Sequence, residues 1–126
     1  MRFLIDTHIL IWFLEGNSLL SANKRSFIVD GDNSVLVSIA SLWEIGIKVS
    51  LGKLDLVATI LAIIKKIDSQ SIEILAITPD HILKVSNLPF HHKDPFDRMI
   101  IAQALAAATS LMTVDRDFAK YGVTIL

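Results

Sequence analysis

Four acidic side chains are the candidates for chemistry in this chain of 126 residues: Asp6, Glu44, Asp97 and Asp115. Asp6 follows the apolar segment Phe3–Ile5, and Asp115 follows Leu111–Val114, so each stands where a buried strand is expected to end. Open α/β sheets bind ligands at the carboxyl ends of their strands, so two carboxylates at one sheet edge indicate a site. Each could instead cap the helix or turn that follows it, and the residues alone leave both interpretations open.

Asp97 falls on the apolar side of a predicted helix. Asp94 is a suitable N-cap and Pro95 a suitable first residue, which predicts a helix from this point. At about 3.6 residues per turn, Asp97 shares a side with Ile100 and Ile101. A carboxylate buried there costs several kcal/mol unless it is paired. Because no basic residue in the sequence is an obvious partner, a metal ion is the favoured one.

Glu44 lies on a helix predicted over Ile39–Ser50, opposite its most apolar face. Lys48 follows four residues later, a spacing typical of an exposed ion pair worth a few tenths of a kcal/mol. Periodicity alone favours this interpretation. A second apolar stripe, the Trp43 stripe, lies beside Glu44 and consists of Trp43, Ile47 and Leu51. We therefore expect the far side of this helix to meet something other than water.

If three or four of these carboxylates meet at the sheet edge, their charges must be compensated. Each close pair repels by about 4 kcal/mol at roughly 4 Å in an effective dielectric of about 20. Oxygen ligands select hard cations, so Mg²⁺ or Mn²⁺ is expected rather than zinc, and Mg²⁺ suits phosphate chemistry. The histidines are interpreted as loop or surface residues, because the adjacent His91 and His92 cannot face one metal as an i, i+4 pair does.

Composition limits the class of protein. A hydrophobic content of 52% with 7% aromatic residues indicates a closely packed aliphatic core in a single domain, residues 1–126. There is no cysteine to form a disulfide or a thiolate site. No apolar run approaches the roughly 18 residues of a membrane span, and no signal peptide is evident, so a cytoplasmic protein is expected. The net charge of −1 offers no electrostatic argument for binding nucleic acid beyond a local basic patch.

Hydrophobic periodicity and turn signals divide the chain into alternating strands and helices. Strands are predicted at Arg2–Asp6, Val35–Val37, Ile72–Leu75 and Leu111–Val114, with a fifth at Val123–Ile125. Helices are predicted at Ile9–Glu15, Ser21–Asp30, Ile39–Ser50, Leu56–Asp68, residues 78–87 and residues 94–108. Crossovers long enough to hold helices predict an α/β fold with a parallel sheet covered on both faces.

Five segments, in this order, resemble a known family: Leu4–His8, Ser38–Ile45, Leu51–Leu54, Asp94–Arg98 and Thr113–Phe118. They are similar to those of a PIN-domain protein, and more closely of a VapC-type toxin from a toxin–antitoxin pair. The resemblance covers essentially the whole chain. It implies a PIN-like three-layer α/β/α sandwich with a central parallel sheet of four to five strands.

The resemblance also implies an activity, that of an endoribonuclease dependent on Mg²⁺ or Mn²⁺. The family's catalytic and metal-binding acids match Asp6, Glu44, Asp97 and Asp115. For Glu44, the resemblance therefore implies a site residue, whereas periodicity favours an exposed ion pair. Attack by a metal-activated water predicts RNA products with 5′-phosphate and 3′-hydroxyl ends. The family further implies a cognate antitoxin and commonly a homodimer. Candidate phosphate contacts, each equally well explained as solvated surface, are Arg98, Arg116, Lys48 and Lys93.

Two other functions remain open. A receiver-type signalling domain has a similar length and acids at strand ends, but it needs an acid after the third strand, where this chain has Leu75–Thr78. A catalytically inactive PIN-like module would keep the fold and only bind a partner, although the intact acids argue against it. The Trp43 stripe suits either a groove for a partner peptide or a surface for self-association.

Overall fold

Four parallel strands form the centre of the structure, which is a computed structural model describing residues 1–126. The strands are β1 (Arg2–Ile5), β2 (Ser34–Ser38), β3 (Glu73–Leu75) and β4 (Ser110–Met112). They lie in the order β3-β2-β1-β4, so β1 is central and has β2 and β4 as neighbours. In this register Leu4 lies beside Leu36 and Leu111. The carboxyl ends of the strands therefore meet at one edge of the sheet.

Six α-helices and a 3₁₀ helix connect the strands. The α-helices are α1 (Thr7–Glu15), α2 (Ala22–Val29), α3 (Ile39–Ser50), α4 (Ile60–Ser69), α5 (Pro79–Ser86) and α6 (Pro95–Ala107). The 3₁₀ helix spans Arg116–Tyr121, directly after β4. This arrangement confirms the predicted α/β/α fold. None of the helices has the length and apolar character needed to cross a membrane.

Alternating residues of β1 face two separate cores. Phe3 and Ile5 belong to one core, which α1 to α4 cover with residues such as Ile9 and Ile67. Leu4 points to the opposite face and belongs to a second core, which includes Ile100 of α6. Both faces of the sheet are thus buried, which explains why the strands read as continuous apolar runs.

Side chains that cap the helices fix where each helix begins. Asp6, Ser38 and Asp94 precede α1, α3 and α6, and each accepts a hydrogen bond from a backbone N–H of the first turn. The first two of these caps also stand at the carboxyl ends of β1 and β2. Each of these two helices therefore starts at the sheet edge, close to the candidate acids.

Most predicted bounds agree with the structure to within two residues, and two elements differ by more than that. Val123–Ile125 is not a fifth strand, because only Ile125 forms an isolated bridge, with Leu111. The helix predicted from Leu56 begins four residues later, at Ile60, where the side chain of Thr59 accepts a hydrogen bond from Ala62 and acts as the N-cap. Apolar periodicity continued through the preceding loop because Leu56 still packs against the first core.

Candidate active site

An acidic cleft lies at the carboxyl ends of β1 and β4. It has a volume of about 250 Å³ and is lined by Asp6, His8, Trp12, Asp97, Val114, Asp115 and Phe118. Three of the four predicted acids thus line one cleft, although they come from three distant parts of the chain. Glu44, the fourth acid, is not part of its lining.

Asp6 is buried at the end of β1, with 3% of its surface exposed. Its Oδ1 accepts a hydrogen bond from the backbone N–H of Ile9 at 2.9 Å, so it caps α1. Its Oδ2 accepts one from the hydroxyl of Thr113 at 2.6 Å, across from β1 to the end of β4. Burial raises the pKa of Asp6, and the hydrogen bonds from Thr113 and Ile9 offset this only in part. Asp6 therefore caps α1 and also presents to the cleft a carboxylate whose position is fixed by two hydrogen bonds.

Asp97 is in the first turn of α6, and its side chain is 22% exposed. Its backbone N–H donates to Oδ1 of Asp94 at 2.9 Å, which confirms Asp94 as the N-cap. The carboxylate itself accepts no hydrogen bond, and the nearest cationic or ionisable nitrogen is Nε2 of His92 at 4.0 Å. Burial, and to a lesser extent the negative charges of four other acids, together raise the pKa of Asp97 to about 7; these acids are Asp94, Glu44, Asp6 and Asp115.

Glu44 is buried, contrary to the exposed position that helical periodicity favours. Its side chain is only 3% exposed and forms an ion pair with Lys48, whose Nζ lies 2.6 Å from Oε2. This ion pair raises the pKa of Lys48. The hydroxyl of Thr7 donates to Oε1 at 2.8 Å and also lies 2.9 Å from Oγ of Ser41. Periodicity missed this environment because the polar partner comes from α1, 37 residues earlier in the sequence.

Asp115 is exposed and is the N-cap of the 3₁₀ helix, because its Oδ1 accepts a hydrogen bond from the backbone N–H of Asp117 at 2.9 Å. Its own N–H donates to the hydroxyl of Thr113 at 3.0 Å. Thr113 therefore links Asp6 and Asp115 through one side chain. Asp115 thus caps a turn and also lines the cleft, so its position agrees with both interpretations of the sequence.

The structure brings residues to the site that sequence reasoning did not select. Thr7 and Thr113 hold Glu44 and Asp6 by hydrogen bonds, and the only sequence signal was that each adjoins a candidate acid or strand end. His8 and Trp12 line the cleft one helical turn apart, with ring centroids 6.0 Å apart. Their spacing on one face of α1 is the pattern that could have identified them.

Arg98 is not available as a phosphate contact, because it is buried with 5% exposure. Its guanidinium lies 3.9 Å from the ring centre of Phe90 and donates hydrogen bonds to backbone carbonyls of Pro89, Leu88 and Val85. It ties the loop before α6 to the helix. The sequence suggested either a phosphate contact or solvated surface for Arg98, but its partners are backbone carbonyl groups.

The donor groups around the cleft suit a hard divalent cation. Three carboxylates line it beside the imidazole of His8, hard cations prefer such oxygen ligands, and the Asp97 carboxylate accepts no hydrogen bond. In the positions described, no three histidine or acidic side chains are close enough together to hold one metal ion. Glu44 and Asp6 are instead occupied by the partners named above. The cleft therefore has the charge and ligand type for such a cation.

Comparison with known proteins identifies the family. A PIN domain profile matches residues 3–123. Among solved structures, VapBC2 from Rickettsia felis bound to a promoter DNA fragment is 16% identical, with a TM-score of 0.74 over 100% of this chain and 98% of that one.

VapBC-1 from nontypeable Haemophilus influenzae is 18% identical, with a TM-score of 0.70 over 100% and 97% of the two chains. FitAcB from Neisseria gonorrhoeae is 16% identical, with a TM-score of 0.60 over 98% and 96%. No curated protein sequence matches this chain. The profile match covers nearly the whole chain, and the chain belongs to the PIN domain family.

Proposed function

We propose that this protein is an endoribonuclease that depends on Mg²⁺ or Mn²⁺ and acts as the toxin of a toxin–antitoxin pair. PIN domains are generally nucleases and typically use a divalent metal, and the structural neighbours include VapBC and FitAcB. The substrate is RNA, hydrolysed at its phosphodiester bonds. The proposed metal-binding and catalytic acids are Asp6, Glu44, Asp97 and Asp115.

One observation carries this proposal, namely the state of Asp97. Burial and four neighbouring acids raise its pKa to about 7, and no side chain donates a hydrogen bond to its carboxylate. A group held in this way destabilises the folded protein when it ionises. A cation at the cleft would remove the repulsion and stabilise the ionised form. Folding alone offers no reason to keep such a carboxylate at this position.

The residues of the cleft would divide the work of binding and orientation. Asp6, fixed by Thr113 and Ile9, and Asp97 would hold a first cation, with Asp115 at the open side. Glu44, which accepts a hydrogen bond from Thr7, would contribute negative charge from outside the lining of the cleft. A bound Mg²⁺ or Mn²⁺ supplies a nucleophilic water and neutralises charge on the phosphate. His8 and Trp12 offer aromatic surface beside the acids, suited to contact with a nucleobase.

The test is RNA cleavage by purified protein in Mg²⁺, in Mn²⁺ and in EDTA. Asp97→Asn is compared with Asp80→Asn, because Asp80 is also an acid in the first turn of a helix but is exposed. We expect the wild type and Asp80→Asn to leave 5′-phosphate ends, and Asp97→Asn to lose about 100-fold or more in rate. A 2′-deoxy residue at the scissile position should be tolerated. Cleavage that persists in EDTA, or in Asp97→Asn, would contradict the proposal.

A second candidate is a PIN-like module that binds a partner without catalysis. The observation that favours it is the engagement of Glu44 by Lys48 and Thr7, which leaves no three acids gathered around one point. The same assay distinguishes the two, because this candidate predicts no metal-dependent cleavage of any RNA. The receiver-type alternative has no support, since the family match is to PIN domains.

We also propose a cognate antitoxin and a homodimer as partners, with the Trp43 stripe as a protein contact. Trp43 is 64% exposed and Leu51 is 61% exposed, and the Trp43 ring packs edge-on against Phe96 at 5.4 Å. Large apolar side chains exposed together mark interaction surfaces. Light scattering and binding to the co-expressed antitoxin are compared for wild type and Trp43→Ala. If neither the oligomeric state nor antitoxin binding changes, this placement is wrong.

A further inference from the structure

His92 is mostly covered and lies beside Asp97, although its place in a polar loop predicted a surface residue. Its side chain is 15% exposed, and Nε2 lies 4.0 Å from Oδ2 of Asp97. This nitrogen is inaccessible to solvent and has no hydrogen-bond partner. A buried polar atom without a partner is rare in native proteins and needs an explanation. The other ring nitrogen, by contrast, is engaged by Tyr121.

The hydroxyl of Tyr121 determines which nitrogen of His92 carries the hydrogen. It lies 3.1 Å from the backbone nitrogen of His92 and 3.3 Å from Nη1 of Arg98, and both of these groups can only donate. The hydroxyl must therefore give its own hydrogen to an acceptor. The nearest is Nδ1 of His92 at 3.0 Å, whereas the His92 carbonyl oxygen is 3.4 Å away. A neutral ring whose Nδ1 accepts a hydrogen bond carries its own hydrogen on Nε2.

Arg98 anchors this arrangement. Its guanidinium donates to the carbonyl oxygens of Pro89, Leu88 and Val85 at 2.7 to 3.3 Å, so its position is fixed by several bonds. The rings of Phe118 and Tyr121 pack against His92, with centroids 5.9 and 5.3 Å away. The imidazole is thus held by packing on its faces and by a hydrogen bond at Nδ1. Its Nε2 has no hydrogen-bond partner, and the carboxylate that lies within 4.0 Å of it is that of Asp97.

We propose that His92 is a positioning residue for Asp97, with Nε2–H donating to Oδ2 once a small side-chain rotation closes the gap of 4.0 Å. The hydrogen bonds run from Arg98 to Tyr121, from Tyr121 to His92, and from His92 to Asp97. The effect of this hydrogen bond on metal binding rests on the proposed metal-dependent function. Outer hydrogen bonds of this kind orient carboxylates that hold a cation. The free oxygen of Asp97 would then face the cleft.

The first experiment measures the hydrogen position on His92 directly. Nitrogen-15 NMR of the full chain, without metal or RNA, distinguishes a protonated from an unprotonated ring nitrogen. We expect hydrogen on Nε2 and a bare, accepting Nδ1 in the neutral ring. Tyr121→Phe, which removes only the hydroxyl, should shift the population towards the other tautomer. Hydrogen on Nδ1 in the wild type would overturn the proposal.

The second experiment measures Mn²⁺ binding by the signal of free Mn²⁺ in electron paramagnetic resonance. His92→Phe keeps an aromatic ring against Phe118 but has no N–H, whereas the amide of His92→Gln can donate near the position of Nε2. We expect Mn²⁺ affinity to fall about 10- to 100-fold in His92→Phe and to stay within about threefold of wild type in His92→Gln. Thermal melting verifies that both variants fold.

The outcomes separate the two proposals. Equal losses in His92→Phe and His92→Gln, or no loss in either, would contradict the positioning role of His92. If the wild type binds no Mn²⁺ and cleaves no RNA, the proposed function fails instead. The NMR measurement then still decides the hydrogen-bond arrangement, because it needs neither metal nor substrate.

Discussion

The hydroxyl of Thr7 lies 2.8 Å from Oε1 of Glu44 and joins the start of α1 to the middle of α3. Both residues are buried, at 4% and 2% exposure. A carboxylate in such a place needs donors on its oxygens, and Thr7 provides one while Lys48 provides the other. These two contacts give each oxygen of the buried Glu44 carboxylate a hydrogen-bond donor.

Thr7→Val should destabilise the protein because it keeps the volume of the side chain but removes the donor to Glu44. We expect the free energy of unfolding to fall by about 1–3 kcal/mol, the usual cost of an unsatisfied buried acceptor. Thr7→Ser keeps the hydroxyl and should lose less. Urea denaturation measures both variants. A loss in Thr7→Ser without a loss in Thr7→Val would mean that the methyl group, and not the hydrogen bond, matters at this position.

Asp97→Asn should stabilise the metal-free protein, whereas most single substitutions destabilise a protein. The folded pKa of about 7 lies above the ordinary value of 3.8, so the ionised form is disfavoured by folding. This interval is worth at most about 4 kcal/mol, and rearrangement of the cleft should reduce the measured gain to about 1–3 kcal/mol. Asp80→Asn, the exposed control in α5, should lose a few tenths.

The pH dependence of this gain follows from the same pKa. Below about pH 4 the Asp97 carboxyl is protonated in both the folded and the unfolded chain, so it costs no stability. As pH rises from 4 to 7 the unfolded chain releases this proton more readily, and the penalty grows until both states are ionised. The difference between Asp97→Asn and wild type should therefore increase from pH 4.5 to pH 8 in EDTA. A difference that is constant, or largest at low pH, would contradict this account of Asp97.

Divalent metal should raise the melting temperature of the wild type, and EDTA should reverse the effect. Binding to the folded state alone at 100 times the dissociation constant adds about 2.7 kcal/mol. We expect Asp97→Asn to gain less than half of the wild-type increment in Mg²⁺ or Mn²⁺, because it loses a charged ligand. Differential scanning calorimetry at fixed ionic strength separates this effect from general salt screening. Equal increments in both proteins would place the metal elsewhere.

Replacement by lysine should lower the free energy of unfolding strongly at Arg98 and hardly at all at Arg116. Arg98 uses its planar guanidinium to reach three carbonyl oxygens, which a lysine cannot reproduce, so Arg98→Lys should lose about 2–4 kcal/mol of stability. Arg116 is exposed at the start of the 3₁₀ helix beside Asp115, so Arg116→Lys should stay within about 0.5 kcal/mol. Urea denaturation measures both variants.

Arg116 remains a candidate phosphate contact, and Arg116→Ala should weaken RNA binding while leaving the melting temperature unchanged. The loss should be similar for different RNA sequences and should reduce the salt dependence of binding, as expected for a phosphate contact. Fluorescence polarisation with Asp97→Asn as the background avoids cleavage during the measurement. Binding that is unchanged at low salt would assign Arg116 to the solvated surface.

Much of the fold follows from local features of the sequence. Asp94 and Pro95 begin α6 as predicted, and the helix Ile39–Ser50 has the predicted bounds, because capping and apolar periodicity depend only on nearby residues. The same periodicity placed Asp97 on the buried side of α6, and the structure gives its carboxylate no lysine or arginine partner, with Nε2 of His92 at 4.0 Å. The fifth strand was wrong because one bridge to Leu111 does not make a ladder.

The environments of the remaining polar residues were decided only by tertiary structure. Glu44 is buried because α1 brings Thr7 to it, and His92 meets Asp97 because Tyr121, from the end of the chain, holds its ring. Arg98 is buried because a loop supplies carbonyl groups. These partners are far apart in sequence or belong to the backbone, so no local pattern encodes them. The sequence by itself determined which residues could carry charge at the sheet edge, and packing decided what each of them faces.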